Sequence, residues 1–253
     1  MSVSVVVRCV GREKLFRGVL ERLTRQTIKP SEILVVMDCD SREEVDYVQK
    51  RLGSYSNAQL LFFKHAEFSH PYSANLGVVS SREELVCITN GHSFPTSKHW
   101  LEAGLRHFAD GKVAGVSGFF LPSAKGIVAK LFYAVEGPLK RITWVSTINC
   151  IIRKARWKEY PFDEGLLALI PETRKYGGED YDWSLEMRAR GYKIVLDPRF
   201  SVIHAHEISM GSEVCRNLRN YFVYRKLQEK IKRLQRPRHA VFSGLTTDGQ
   251  TRV

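Results

Sequence analysis

Four short clusters in this 253-residue chain carry side chains able to do chemistry. Gly177-Gly178-Glu179-Asp180 sets two carboxylates at the mouth of an amphipathic segment, Tyr181 to Arg190, behind two glycines that let the backbone turn tightly. A helix N-terminus favours negative charge by roughly 0.3–1 kcal/mol, so a carboxylate there is expected to stay ionised near neutrality and to accept a proton. Asp38-Cys39-Asp40-Ser41, Asn90-Gly91-His92 and His204-Ala205-His206 each follow an apolar run. Neutral imidazole coordinates Mn2+ and similar ions, which makes His92 and His204 candidate metal ligands. His206 is the alternative to His204, since alternation along a strand puts both on one face. Each cluster also has a plain reading. An Asp after a strand is more often a turn or a cap, Asn-Gly is an ordinary turn dipeptide, and Glu179 or Asp180 could cap a helix. Capping needs only one acidic residue, and this run has two. Asp182 reads as a solvated helical residue.

The elements that must position these clusters alternate along the chain. Val3 to Cys9 reads as a strand, followed by a helical stripe of Leu15, Phe16, Val19, Leu20 and Leu23 within Arg12 to Gln26. Glu32 to Asp38 reads as a second buried strand, and Ser41 with Glu44 opens a charged helix to Leu52 as a capping box. Further strands are expected at Leu60 to Phe63, Leu85 to Thr89, Val113 to Leu121 and Ser201 to Ile203. Helices are expected at Tyr72 to Ser81 and around Trp100 to Phe108. Strands that are apolar throughout, alternating with amphipathic helices, predict a single mostly parallel α/β sheet covered on both faces. Such a sheet places its ligands beyond the carboxyl ends of its strands, which is where the Asp38, Asn90 and His204 clusters fall. Residues 122–146 read as an insertion or lid.

Composition narrows the function classes. Hydrophobic residues at 43% and charged residues at 26% fit a chain with a real core. Five scattered cysteines without a C-x-x-C pair argue against a disulfide framework or a zinc ribbon and for a reducing, cytoplasmic setting. There is no basic-then-apolar leader and no 18-residue charge-free apolar run. The net charge of +12 is uneven, because nine basic and two acidic residues between Ser212 and Arg238 supply +7 of it. Apolar residues there (Val214, Leu218, Tyr221, Phe222, Leu227, Ile231, Leu234) recur at steps of three to five. That pattern predicts a basic amphipathic helix over 212–236. It either lies on an anionic membrane surface, making the protein peripheral at the cytoplasmic membrane, or packs on the preceding domain with a solvated basic face. Nucleic acid is not the expected partner, since the segment lacks repeated aromatic platforms. Residues 237–253 turn to Gly, Ser, Thr and Asp and are expected to be disordered.

Taken together, the motifs resemble family 2 glycosyltransferases of the GT-A fold over Ser2 to about His206, about four fifths of the chain. Val5-Val6-Val7-Arg8 with Arg25-Gln26-Thr27 resembles that family's first βα unit. Glu32-Ile33-Leu34-Val35-Val36-Met37-Asp38 resembles its second strand, whose terminal Asp contacts the nucleotide base. Phe68-Ser69-His70-Pro71-Tyr72-Ser73-Ala74-Asn75-Leu76-Gly77 is similar to its Ala-Arg-Asn segment, although no Arg precedes Asn75. Gly177-Gly178-Glu179-Asp180-Tyr181-Asp182-Trp183, followed by Arg188, Gly191 and Tyr192, matches its acidic motif. The family's metal-holding Asp-x-Asp is replaced by Asn90-Gly91-His92, which resembles the Asp-x-His of polypeptide N-acetylgalactosaminyltransferases.

The resemblance implies a GT-A domain over 1–211 that acts as an inverting transferase. It would move a sugar from a nucleotide-diphosphate donor, UDP favoured, to a hydroxyl on a glycan, lipid-linked glycan or polymer. It makes Asp180 and Glu179 catalytic. Arg8, Asp38, Asp40, Asn75 and Asn90 become nucleotide-binding, and Asn149 and Trp183 acceptor-binding, with Thr147 to Asn149 along the acceptor pocket. His92 and His204 would hold a divalent cation, Mn2+ favoured over Mg2+ because imidazole suits it better. The missing Asp-x-Asp keeps a second reading open, a catalytically impaired nucleotide-sugar binding or scaffold protein of the same fold.

Overall fold

The computed structural model describes residues 1–10, 16–122, 144–173, 177–204 and 222–229. Strands β1 (Ser4–Val10), β2 (Glu32–Asp38), β3 (Ala58–Phe63) and β4 (Leu85–Asn90) lie parallel. They are followed across the sheet by β8 (Asn149–Arg153), β6 (Val113–Ser117) and β9 (Lys193–Leu196). The order is β3-β2-β1-β4-β8-β6-β9, and β8 runs against both its neighbours. The α/β class, the mostly parallel sheet and its flanking helices are as the sequence predicts.

The apolar runs explain the two-sided cover. Val5 and Val7 of β1 face Phe16, Val19, Leu20 and Leu23, supplied by helix α1 (Phe16–Thr24), and also Trp100 and Leu101, from α4 (Trp100–Leu105). Val6 faces the other way, onto Ala74 and Val78 of α3 (His70–Ser80) and onto Trp183 and Met187 of α7 (Glu179–Ala189). A strand buried on both faces has no room for a polar alternation, hence the continuous valines. Local signals set the helix starts. The hydroxyl of Ser41 accepts the Glu44 N–H ahead of α2 (Arg42–Leu52), and the Glu44 carboxylate takes the Asp40 N–H. The Ser69 hydroxyl accepts the Tyr72 N–H ahead of α3, whose first turn holds Pro71. Two short helices follow β8, α5 (Lys154–Glu159) and α6 (Leu166–Leu169).

The architecture departs from a single sheet. A second sheet of three strands, β5 (Ser93–Pro95), β10 (Val202–His204) and β7 (Phe120–Pro122), stands beside the first. The run read as one strand from Val113 to Leu121 is divided between the two sheets, and Gly118 is the reason. A Cβ at Gly118 would sit 1.3 Å from the Phe200 carbonyl oxygen and 2.6 Å from Asn149 Nδ2, so only glycine lets the chain cross there. Strands β8 and β9 were not expected from the sequence. Residues 123–143, most of the expected lid, lie outside the described residues, as do 237–253. Among the described residues no helix is long and apolar enough to cross a membrane. Of the expected helix at 212–236, residues 222–229 are described and helical; Val223 and Leu227 pack against Leu166, Ile170 and Tyr181.

Replacing Gly118 by Ala is expected to cost at least about 1–3 kcal/mol, the usual toll of overpacking, because its clash is with backbone and no rotamer relieves it. Urea unfolding of Gly118→Ala beside the parent measures this, and equal midpoints would refute it.

Candidate functional site

Arg8 stands near the carboxyl end of β1, with Val36 of β2 and Asn90 of β4 as its register partners. Its guanidinium is nearly buried, and a buried cation must collect acceptors. It donates to the His70 carbonyl at 3.1 Å, to the Thr147 hydroxyl at 2.9 Å and carbonyl at 3.3 Å, and to Asn90 Oδ1 at 3.4 Å. Glu179 Oε1 lies 3.8 Å away. Thr147 then carries the link to the acidic motif. Its hydroxyl donates to Glu179 Oε1 at 2.9 Å, and its N–H donates to Asp180 Oδ2 at 3.1 Å. Gly177 and Gly178 have φ of 71° and 125°, the left-handed region where other residues are strained, and this turn delivers both carboxylates into the first turn of α7. The cleft beside Glu179 is lined by His70 and Pro71 from α3, Leu166 and Leu167 from α6, and Gly177.

The electrostatics correct one expectation. The helix N-terminus does not keep Asp180 an ordinary carboxylate; burial, and then the charge of Glu179, push it up to about 7. The Thr147 and Tyr181 N–H groups and Arg8 pull the other way without winning. A carboxylate balanced near neutrality is a better general base for a hydroxyl than an exposed one. His70 is pushed down, mainly by burial and against the pull of Glu179, which holds its ring neutral at the cleft wall.

At the far end of β2, Asp38 is buried and its Oδ2 meets His65 Nδ1 at 2.5 Å, while Asp40 Oδ1 accepts the His65 N–H at 2.8 Å. His65 was not anticipated. It follows β3 by two residues with no motif around it, and only the fold sets it over Asp38. Asp38 raises the imidazole above its ordinary value.

His92 and His204, 112 residues apart in sequence, come together with ring centroids 4.5 Å apart. The small sheet does this, because β5 starts directly after His92 and pairs antiparallel with β10, which ends at His204. Ser93 Oγ lies 2.9 Å from His204 Nδ1 and orients the ring. Two imidazoles suit a borderline divalent ion whose other positions take ligand oxygens. Among the described residues no group of three or more His, Cys, Asp or Glu is placed to hold a metal by itself. His206 lies outside the described residues.

Four of the residues singled out in the sequence lie buried inside the protein. Asn75 spends its amide inside the protein, donating to the Phe162 carbonyl and Glu164 while accepting from Trp157 Nε1 and the Phe162 N–H. These bonds brace α3 against the segment from Trp157 to Glu164. Asn149 is fully buried and donates to the Phe200 carbonyl at 2.6 Å, tying β8 to the segment that leads into β10. Trp183 is fully buried in the core with Phe162. Asp182, read as solvated, is fully buried and accepts the Tyr160 hydroxyl at 2.7 Å.

Residues 4–131, half of the chain, match the sequence profile of Glycosyl transferase family 2. The chain belongs to that family. No curated protein matches it in sequence. Among solved structures, a mannosyltransferase from Pyrobaculum calidifontis, in complex with GDP-Man and Mn2+, is similar with a TM-score of 0.69 at 15% identity. That match covers 93% of this chain and 65% of the other. Glucosyl-3-phosphoglycerate synthase from Mycobacterium tuberculosis, with Mn2+, UDP and phosphoglyceric acid, gives 0.60 at 11% identity over 89% and 78%. TarS 1-349 from S. aureus gives 0.60 at 18% identity over 91% and 65%. At such identities the likeness speaks for the fold. This family 2 chain spans 65% of the mannosyltransferase it matches.

The raised Asp180 has a consequence for stability. A carboxyl at about 7 in the folded chain and in the ordinary range when unfolded makes folding harder as pH rises from about 4 to 7. Asp180→Asn removes the titrating carboxyl, so its melting temperature relative to the parent should rise between pH 5 and pH 8. Differential scanning calorimetry at both values measures it; a pH-independent difference would contradict the assignment.

Proposed function

We propose that this family 2 glycosyltransferase is inverting and that Asp180 is its general base. Asp180 takes the proton of an acceptor hydroxyl as that oxygen bonds to the anomeric carbon of the donor sugar. The bond from that carbon to the diphosphate oxygen breaks, and the nucleoside diphosphate leaves with the electron pair. The observation that carries this reading is the position of Asp180: near-neutral in acidity, hydrogen-bonded to Thr147, at the start of α7 next to Glu179, which lines the cleft. Arg8 and Thr147 hold Glu179, so Glu179 positions its neighbour electrostatically. Asp38 and Asp40 fit the base end of the donor, and Asn90 with Arg8 fits the ribose and phosphate side. UDP is the favoured nucleotide, and the acceptor hydroxyl belongs to a glycan, lipid-linked glycan or polymer. A divalent cation held by His92 and His204, when bound, neutralises charge on the departing diphosphate. The scaffold reading draws on Asn90 and on the lack of a preformed three-ligand cluster among the described residues.

The test is titration of UDP, GDP and dTDP with Mn2+, Mg2+ or chelator, followed by nucleotide release from the matching donor sugars. Asp180→Asn should cut release about 10²–10⁴-fold while leaving nucleotide affinity within twofold. Near-normal release by that variant refutes the base assignment, and no release by the parent favours the scaffold. His92→Ala should abolish any gain in affinity from Mn2+; an undiminished gain would remove His92 as a ligand.

A further inference from the structure

The matched family region ends at residue 131, yet the acidic motif is covered from a segment almost a hundred residues further on. Leu227 and Val223 are buried, and their methyl groups would lie 3.1 and 3.4 Å from a Cβ on Gly178. The Tyr224 ring lies 4.5 Å from that of Tyr181, the residue after Asp180, tilted by 33°, and both rings meet Trp144 at 5.2 and 5.0 Å. Gln228 donates to the Tyr181 hydroxyl at 2.6 Å. Lys226 pairs with Glu172 on the outer side. Tyr224 senses the carboxylates directly, since burial first and then Asp180 and Glu179 raise it well above the ordinary tyrosine range.

We propose that the helix at 222–229 is a wall of the catalytic site, and that Leu227, Val223 and Tyr224 are positioning residues that seal the Gly177–Gly178 turn and keep water from Asp180. The inference rests on the reading of Asp180 as general base, and it extends the catalytic unit past residue 211, where the sequence alone placed its end. Gly178 has no side chain of its own to exclude solvent, so the seal must come from elsewhere. Burial is the largest cause of the near-neutral acidity of Asp180, and whatever covers the turn therefore sets its basicity. The other groups facing Asp180 are Glu179 on its own helix, Arg8 from β1, Cys150 from β8 and the Thr147 N–H. His70 from α3 acts on Glu179. Tyr224 of the 222–229 helix also faces both carboxylates, and the Leu227 and Val223 substitutions leave it in place.

The experiment uses the full chain with Leu227→Ala, with the milder Val223→Ala in case the first does not fold, and with Lys226→Ala as the outer-face control. Asp180 is titrated through its side-chain carboxyl 13C shift, assigned by its loss in Asp180→Asn, and UDP affinity and nucleotide release from UDP-glucose are followed against pH. Leu227→Ala should move the Asp180 midpoint down by about one pH unit, a tenfold change in its proton equilibrium. The acid limb of release should move with it while UDP affinity stays within twofold. Val223→Ala should move both in the same direction by less, and Lys226→Ala should move neither. A midpoint unmoved in folded Leu227→Ala or Val223→Ala overturns the proposal. A moved midpoint with no release by any variant, the parent included, sustains the seal and fails the base assignment instead.

Discussion

Everything around the carboxylates depends on the charge of Arg8. A guanidinium at the carboxyl end of a central strand, nearly out of water, is tolerable only if acceptors converge on it. They come from the start of α3, the end of β4, the loop at Thr147 and the start of α7. These segments are remote in sequence and meet because one cation needs all of them. The fold beneath supplies the rigidity, since β1 is hydrogen-bonded between β2 and β4 and buried on both faces.

The same interaction divides labour between two adjacent carboxylates. Glu179 is 3.8 Å from the guanidinium and accepts the Thr147 hydroxyl, so its charge is compensated. Asp180 receives backbone N–H groups but is desolvated and sits in the field of Glu179, and its affinity for a proton rises. Burial together with a neighbouring carboxylate is an ordinary means of bringing a carboxyl group near neutral pH.

The main sheet was legible because buried parallel strands leave an unmistakable record: Val5 to Val7, Ile33 to Met37 and Val86 to Ile88 have no polar interruption. Caps at Ser41 and the Gly-Gly-Glu-Asp turn were legible because they are local. Strand β8 was not, since Cys150 to Ile152 is a three-residue apolar run beside Asn149 and reads equally as loop edge or helix. The functions of Asn75, Asn149 and Asp182 were not legible either. A polar side chain that satisfies buried backbone or a buried hydroxyl looks in sequence like one that faces a ligand; only the partner distinguishes them. Trp183 fell to the same ambiguity, its place in an acidic motif saying nothing about which way the indole points.

The histidine pair inverts that lesson, because there the sequence named the residues and the fold supplied the reason they could meet. Antiparallel pairing sets His204 opposite Ser93, so the side chain one residue earlier, His92, is brought to the end of the same ladder. The small second sheet thus does for His92 and His204 what Arg8 does for the acidic motif. It fixes by backbone register what no side chain could fix alone. Gly118 is part of that device: by admitting the Phe200 carbonyl it lets β7 leave the main sheet and pair with β10, which holds His204 in place. A pair built on register has two nitrogens of fixed separation and no carboxylate charge of its own. In the metal-binding reading proposed above, the affinity of such a pair for a dication would come largely from an anionic ligand that shares the ion, and a nucleoside diphosphate has the charge to supply it.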